Sequence, residues 1–283
     1  MKTGLVLEGG AVRTIYSTGV LDYFNEQGLI FDYVVGVSAG IAFGINYLSN
    51  QPGRNLRVLL KYGGDPRYTG VRHMFNPKNK SFFNLDFVYE ETAKLDPFDF
   101  ETYENYPGKV ETGLTDLATG QVHYYEPDRK DQSFYLMRAT CALPILFPIF
   151  HYDGKEVMDG GCVDAIPWKR ALEMGCDRVV VVSTREDSYQ RGAEKFMPLI
   201  RCAFRKYPEF LQVLETRADR YNQNREELFQ AEKEGKVFLY RPKDTKGFSR
   251  TEKDKEKIQA LYQNGYDDSK NRWDELMEYL AEK

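Results

Sequence analysis

Histidine is scarce in this 283-residue chain: His73, His123 and His151 are the only three, and none follows. Charge of one sign is also lacking. The chain has 39 Lys+Arg against 43 Asp+Glu, a formal net charge of −4. That balance excludes a general nucleic-acid binder, which needs excess Lys and Arg to displace counterions. No apolar run approaches the ~20 residues that a spanning helix requires. The start, Met1 to Leu7, turns to Glu8-Gly9-Gly10 too soon for a signal-peptide core. Cys141, Cys162, Cys176 and Cys202 form no C-x-x-C pair, so they read as free thiols of a cytoplasmic protein. Aromatics, by contrast, are plentiful at 14%. They imply either a well-filled core or a wide apolar cavity.

The first third alternates strand and helix. Leu5-Val6-Leu7 reads as a buried strand broken by Glu8-Gly9-Gly10. Ile15 to Gln27 carries a helical apolar face, with Gly28 placed to end it. Phe31 to Val37 reads as a second buried strand, running through Ser38-Ala39-Gly40 into a helix over Ile41 to Leu48. This alternation predicts parallel strands joined by right-handed crossovers. Lys61 to Lys80 reads as a basic surface loop. Hairpins are expected between Val110–Leu114 and Gln121–Tyr125, and across Asp153-Gly154, a favoured type I′ pair. Val179 to Val182 has the composition of a central parallel strand.

After Thr184 the character changes. Glu209 to Glu234 reads as one long amphipathic helix, Lys236 to Tyr240 as a last strand, and Ser249-Arg250-Thr251-Glu252 as a capping box opening a charged helix. Phe196 to Lys206 mixes bulky apolar and basic residues. The preferred reading is a core helix with a basic outer edge; the other is an interfacial helix or lid.

Gly36-Val37-Ser38-Ala39-Gly40 matches G-x-S-x-G where an apolar strand meets a small-residue helix start. A sharp turn there exposes the serine above the sheet and sets it at a helix N-terminus. The plainer reading is a helix-capping serine. A nucleophile needs a base, and the histidines serve poorly: His73 and His123 read as surface residues, leaving His151 as the one candidate. Asp159-Gly160-Gly161 follows the strand-like Val157-Met158. A buried aspartate bonded to the serine could take its proton directly; alone, Asp159 reads equally as a turn residue. In Glu8-Gly9-Gly10-Ala11-Val12-Arg13, convergent backbone N–H groups could hold an oxyanion.

Together these blocks resemble the patatin-like phospholipases, serine lipid acyl hydrolases with a Ser-Asp dyad. The glycine-rich loop, the elbow and Asp159-Gly160-Gly161 occur in the family's order. Ala139 to Phe147 is similar to the family's A-S-x-A-x-P-x-x-F segment. The resemblance covers about residues 3 to 185 and implies a three-layer α/β/α domain with a mainly parallel sheet over 1–185. Residues 186–283 would form a mostly helical extension packed on it. It further implies Ser38 as nucleophile, Asp159 as base, and an oxyanion hole at Gly9, Gly10 and Ala11 supported by Arg13. The expected activity is carboxylic ester hydrolysis on lipid or acyl-ester substrates, with transient membrane-surface contact, no nucleic acid and no cofactor. The alternatives are an esterase or thioesterase for soluble acyl compounds, or a catalytically weak lipid-binding relative. The family pattern G-G-G-x-[KR]-G is broken by Ala11 and Thr14. A positive φ at either position would cost about 1 kcal/mol and shift the donors.

Overall fold

The structure, a computed structural model, describes residues 1–76 and 80–281. Eight strands make one sheet: β1 (Thr3–Leu7), β2 (Tyr33–Gly36), β3 (Lys109–Asp116), β4 (Val122–Tyr125), β5 (Phe150–Tyr152), β6 (Lys155–Asp159), β7 (Arg178–Val182) and β8 (Val237–Tyr240). Its parallel part runs β3-β2-β1-β7-β8. Leu5, Leu7, Val34, Val180 and Val182 face one apolar layer with Ile15, Phe24 and Ile41, while Val6, Val35, Val179 and Val181 face another with Trp168, Ala171 and Leu228. Burial on both faces is why these strands are continuous apolar runs. The architecture is therefore the expected α/β/α sandwich.

The crossover helices are α1 (Ile15–Glu26) and α2 (Ala39–Leu48), followed by α3 (Arg54–Tyr62). Both expected hairpins form: β3 pairs with β4, and β5 with β6 through Asp153 (φ 51°) and Gly154 (φ 71°). The antiparallel strands share β3 in a way that matters for the site. Thr112 pairs with Gly36 and Tyr125, so β2 and β4 lie on opposite edges of β3. Leu114 pairs with His123 of β4 and Asp159 of β6. Hence β2 and β6 occupy the same edge of β3, arriving from opposite directions and ending two residues apart.

Four expectations change. The helix over 209–234 is two helices, Pro208–Glu215 and Arg217–Lys233, interrupted at Thr216, whose hydroxyl donates to Gln212 O at 2.9 Å. The last long helix starts at Lys255, capped by Asp254, whose carboxylate accepts from Glu256 N (3.0 Å) and Lys257 N (3.3 Å). Ser249 and Glu252 close only a local turn before it. The helix Met197–Ala203 is not a core helix, because Phe196 is 68% and Leu199 53% exposed. Finally, the 61–80 segment is not one loop. Lys61 and Tyr62 finish α3, Tyr68 and His73 are buried, and residues 77–79 lie outside the described residues.

The C-terminal region is joined to the sheet by β8 and to α1 by the helix Lys255–Asn271. Gly19 and Gly265 sit at that helix crossing. A Cβ on Gly19 would come within 2.1 Å of Tyr262 O, and one on Gly265 within 2.0 Å of Tyr16 O.

Candidate active site

Ser38 stands between β2 and α2 with φ 54° and ψ −138°, a conformation that L-residues rarely adopt. Its neighbours explain the turn. A Cβ on Gly40 would lie 2.5 Å from Leu7 O, and one on Gly36 3.0 Å from Leu7 Cβ, so the chain turns tightly over the end of β1. The Ser38 side chain makes no capping bond to α2, which removes the helix-cap reading. Its backbone N–H donates to Thr140 Oγ1 at 3.0 Å, and the Thr140 hydroxyl donates to Gly113 O at 2.8 Å. Thr140 thus fixes the strained turn to β3.

Asp159 ends β6 and is 1% exposed. Its Oδ1 accepts from Gly161 N at 2.7 Å, its carbonyl accepts from Thr115 Oγ1 at 2.8 Å, and its N–H donates to Ala142 O at 2.9 Å. Ser38 and this carboxylate line the same cavity, and the serine hydroxyl favours the ionised form of Asp159. The meeting of β2 and β6 on one edge of β3 brings these two residues together across 121 positions of sequence. Burial pushes the Asp159 pKa above its ordinary value, against the opposing pull of Arg217, Ser38 and the Gly161 N–H.

The loop after β1 is held by its own glutamate. Buried Glu8 accepts from Thr184 N (2.6 Å), the Ser183 hydroxyl and Tyr221 OH (2.5 Å). Gly9 N–H is committed to Ala165 O at 3.3 Å, whereas the N–H groups of Gly10 and Ala11 have no acceptor among the described residues. Of the three expected donors, two are therefore free. Ala11 has φ 51°, so the missing glycine is felt there; Thr14 has a helical φ of −58°, so its departure costs nothing. Arg13 is buried, with Nη1 3.5 Å from Phe248 O. Burial and the nearby Arg185 and Arg250 push its pKa down to about 10.

Two cavities meet at Ser38, sharing Ala11 and Leu143. One, of about 80 Å³, is apolar and lined by Val12, Phe43, Tyr68, Phe83, Tyr89 and Phe147 among others. The other, of about 60 Å³, is polar and holds Glu8, Gly9, Gly10, Arg13 and Asp159 with four further arginines. None of the three histidines lines either. His73 is buried against Pro66 O, contrary to its surface reading; His123 lies 3.7 Å from Asp116, and His151 lies 3.7 Å from Glu156. Cys141 lines the apolar cavity with Ser38, but burial pushes its thiol up to about 12, leaving it protonated. Sequence reasoning missed Thr140, Leu143 and Arg185, Arg191, Arg217 and Arg250. The first two lie in the Ala139–Phe147 block, but the arginines follow no spacing that could have marked them.

A strained serine at a strand-helix elbow, sharing a cavity with a buried aspartate and with none of the three histidines, defines an α/β protein with a serine and a carboxylate at one site. The chain belongs to the patatin-like phospholipase family, whose family model matches residues 5–172. A domain of unknown function, DUF6363, matches residues 207–281. The uncharacterized protein YjjU of Escherichia coli (strain K12) is 31% identical over 191 residues, covering 65% of this chain and 52% of YjjU. Lysophospholipase NTE1 of Coccidioides immitis (strain RS) is 24% identical over 192 residues, 64% of this chain and 11% of that protein. The chain thus spans about half the length of the first relative and about a tenth of the second. The crystal structure of VipD from Legionella pneumophila superposes with a TM-score of 0.46 at 13% identity, covering 97% of this chain and 67% of that one.

Proposed function

We propose that the protein is a lipid acyl hydrolase that cleaves carboxylic esters through Ser38 and Asp159. The observation that carries this reading is a half-buried, strained Ser38 set beside a buried carboxylate at the junction of an apolar and a polar cavity. Family membership and the fungal lysophospholipases among the relatives support the lipid ester.

Ser38 Oγ attacks the ester carbonyl as Asp159 takes its proton, and the alcohol leaves with that proton. Asp159 then deprotonates water, which attacks the acyl-serine, releases the acid and restores the Ser38 hydroxyl. The free N–H groups of Gly10 and Ala11 hold the oxyanion, Gly9 lets the loop pass Ser38, and Arg13 adds positive potential beside it. The aromatic cavity takes the acyl chain. Exposed Phe196 and Leu199, on a helix that also carries Arg201, support transient contact with a membrane surface. Four free cysteines fit a cytoplasmic setting.

The test is intact mass after exposure to a fluorophosphonate. One adduct is expected on the wild type, none on Ser38→Ala, and slow labelling on Asp159→Asn. Folded wild type without an adduct would overturn the reading. The small apolar cavity also favours a second reading, an esterase or thioesterase for short acyl groups. Turnover falling steadily with chain length, with no gain on micelles, would select it.

A further inference from the structure

The polar cavity beside Ser38 carries more positive charge than the protein neutralises. Five arginines line it, Arg13, Arg185, Arg191, Arg217 and Arg250, against two carboxylates, Glu8 and Asp159. Both carboxylates are already engaged: Glu8 by Ser183, Thr184 and Tyr221, Asp159 by the Gly161 N–H. Behind the wall, Glu194 takes Arg191 at 2.6 Å and Arg217 at 3.1 Å. Arg217 spends its other nitrogens on Gly161 O, at 3.0 and 2.7 Å.

Three guanidiniums have no carboxylate within 4.0 Å among the described residues. Arg13 is only 5% exposed, and its Nε has no hydrogen-bond partner. Arg185 lies over the Tyr189 ring at 3.9 Å and donates to Thr245 Oγ1 at 3.2 Å. Arg250 also lines the cavity, where burial and the neighbouring Arg191 and Arg217 push its pKa down. Buried charge is ordinarily paired, because removing it from water without a partner is costly. A bound anion would supply that partner. Phosphate suits several guanidiniums at once, since each donor fork matches two of its oxygens.

We infer that this cavity receives the phosphate head group of an anionic lysophospholipid, the preferred substrate being a 1-acyl-glycerol phosphate. The inference rests on the acyl-hydrolase reading above. Because the cavities share Ala11, Ser38 and Leu143, an acyl chain in one and a phosphate in the other bring the ester carbonyl to Ser38. A choline head group would set a quaternary ammonium against the guanidinium excess. Four of the five arginines lie outside the patatin match, and Arg217 and Arg250 lie within residues 207–281, the domain of unknown function. That region then has a role: it reads the head group.

Binding is measured first, by calorimetry on Ser38→Ala below the critical micelle concentration, with dodecyl phosphate, dodecylphosphocholine and inorganic phosphate as probes. Dodecyl phosphate should bind at least tenfold more tightly than dodecylphosphocholine. Arg185→Gln and Arg250→Gln, checked for folding by thermal unfolding, should each lower that ratio several-fold. The exposed control Lys130→Gln should not. Equal affinity for the two detergents overturns the proposal. Inorganic phosphate binding as tightly as dodecyl phosphate also overturns it, by assigning the cavity to a free anion. If either arginine variant fails to fold, the ratio on Ser38→Ala alone still decides. Fatty-acid release by the wild type from 1-acyl-glycerol phosphate and 1-acyl-glycerophosphocholine should show the same preference in kcat/KM. A fluorophosphonate adduct on Ser38 without head-group preference would mean that only this inference fails. Preference in binding without any adduct would mean that the chemistry fails, and the substrate assignment with it.

Discussion

At the scale of single residues, the sequence departure that matters is Ala11. Its φ of 51° places a Cβ in the left-handed region, at about 1–2 kcal/mol, beside the free N–H groups of the loop. Alanine tolerates this better than a branched side chain. Ala11→Val should therefore destabilise the protein by about 1 kcal/mol or more and slow fluorophosphonate labelling at least tenfold. Thermal unfolding and labelling rates measure the two effects; unchanged labelling would show that this loop does not hold the oxyanion. Asp159 carries a second prediction. Its pKa is raised by burial, and the base acts only when ionised, so kcat/KM for a neutral ester should fall as pH drops through a value above the ordinary carboxylate range. A pH–rate profile flat down to pH 4 would contradict this. The turn at Ser38 was legible because its motif is fixed by local backbone needs, whereas Asp159 alone read as a turn residue and was singled out only by the resemblance. The arginines were not, since only tertiary packing brings positions 185, 191, 217 and 250 to Arg13.

Among the elements, strand and crossover positions followed the hydrophobic pattern, while helix ends in the C-terminal region did not. The 209–234 pattern is amphipathic throughout, and nothing in its periodicity marks the interruption at Thr216. That interruption starts the next helix at Arg217, whose side chain bonds Gly161 O. Helix packing yields a further prediction at Asp22. Its buried carboxylate joins α1 to Gly53 N (2.7 Å) and to Tyr262 OH (2.7 Å) of the helix Lys255–Asn271. Burial raises its pKa from 3.8 to about 6, with Gly53 and Tyr262 pulling the other way. The folded state thus binds this proton more tightly than the unfolded chain, so its contribution to stability falls as pH rises from about 4 to 6 and is level above. Asp22→Asn keeps an acceptor for both donors and removes the buried charge. At pH 8 it should stabilise the protein by on the order of 2 kcal/mol and abolish that pH dependence. Denaturant unfolding at pH 4.5 and pH 8 tests it; a variant less stable at pH 8 would show that the charge itself is needed.

For the whole molecule, the sequence suggested a division near residue 185, but the sheet continues past it. β8 pairs with β7 residue for residue, from Val179 with Val237 to Val182 with Tyr240. A chain ended after residue 185 would leave four valines on an unpaired edge, a template for association. Such a chain should be recovered as aggregate in size-exclusion chromatography. A soluble monomer that still labels at Ser38 would show the extension to be dispensable. The sequence separated these regions because composition shifts sharply after Thr184, and composition cannot reveal which distant strand a short apolar run will pair with.

The tie from Val12 N–H to Arg250 O, at 3.2 Å, has a consequence in time. A ribosome adds roughly 5–20 residues each second, so several seconds separate the synthesis of Asp159 from that of Arg250. Throughout that interval the nascent chain holds Ser38 and Asp159 but lacks the late segment that ties down the loop beside them. The loop that offers the N–H groups of Gly10 and Ala11 therefore gains this anchor only once the last third of the chain has emerged and docked.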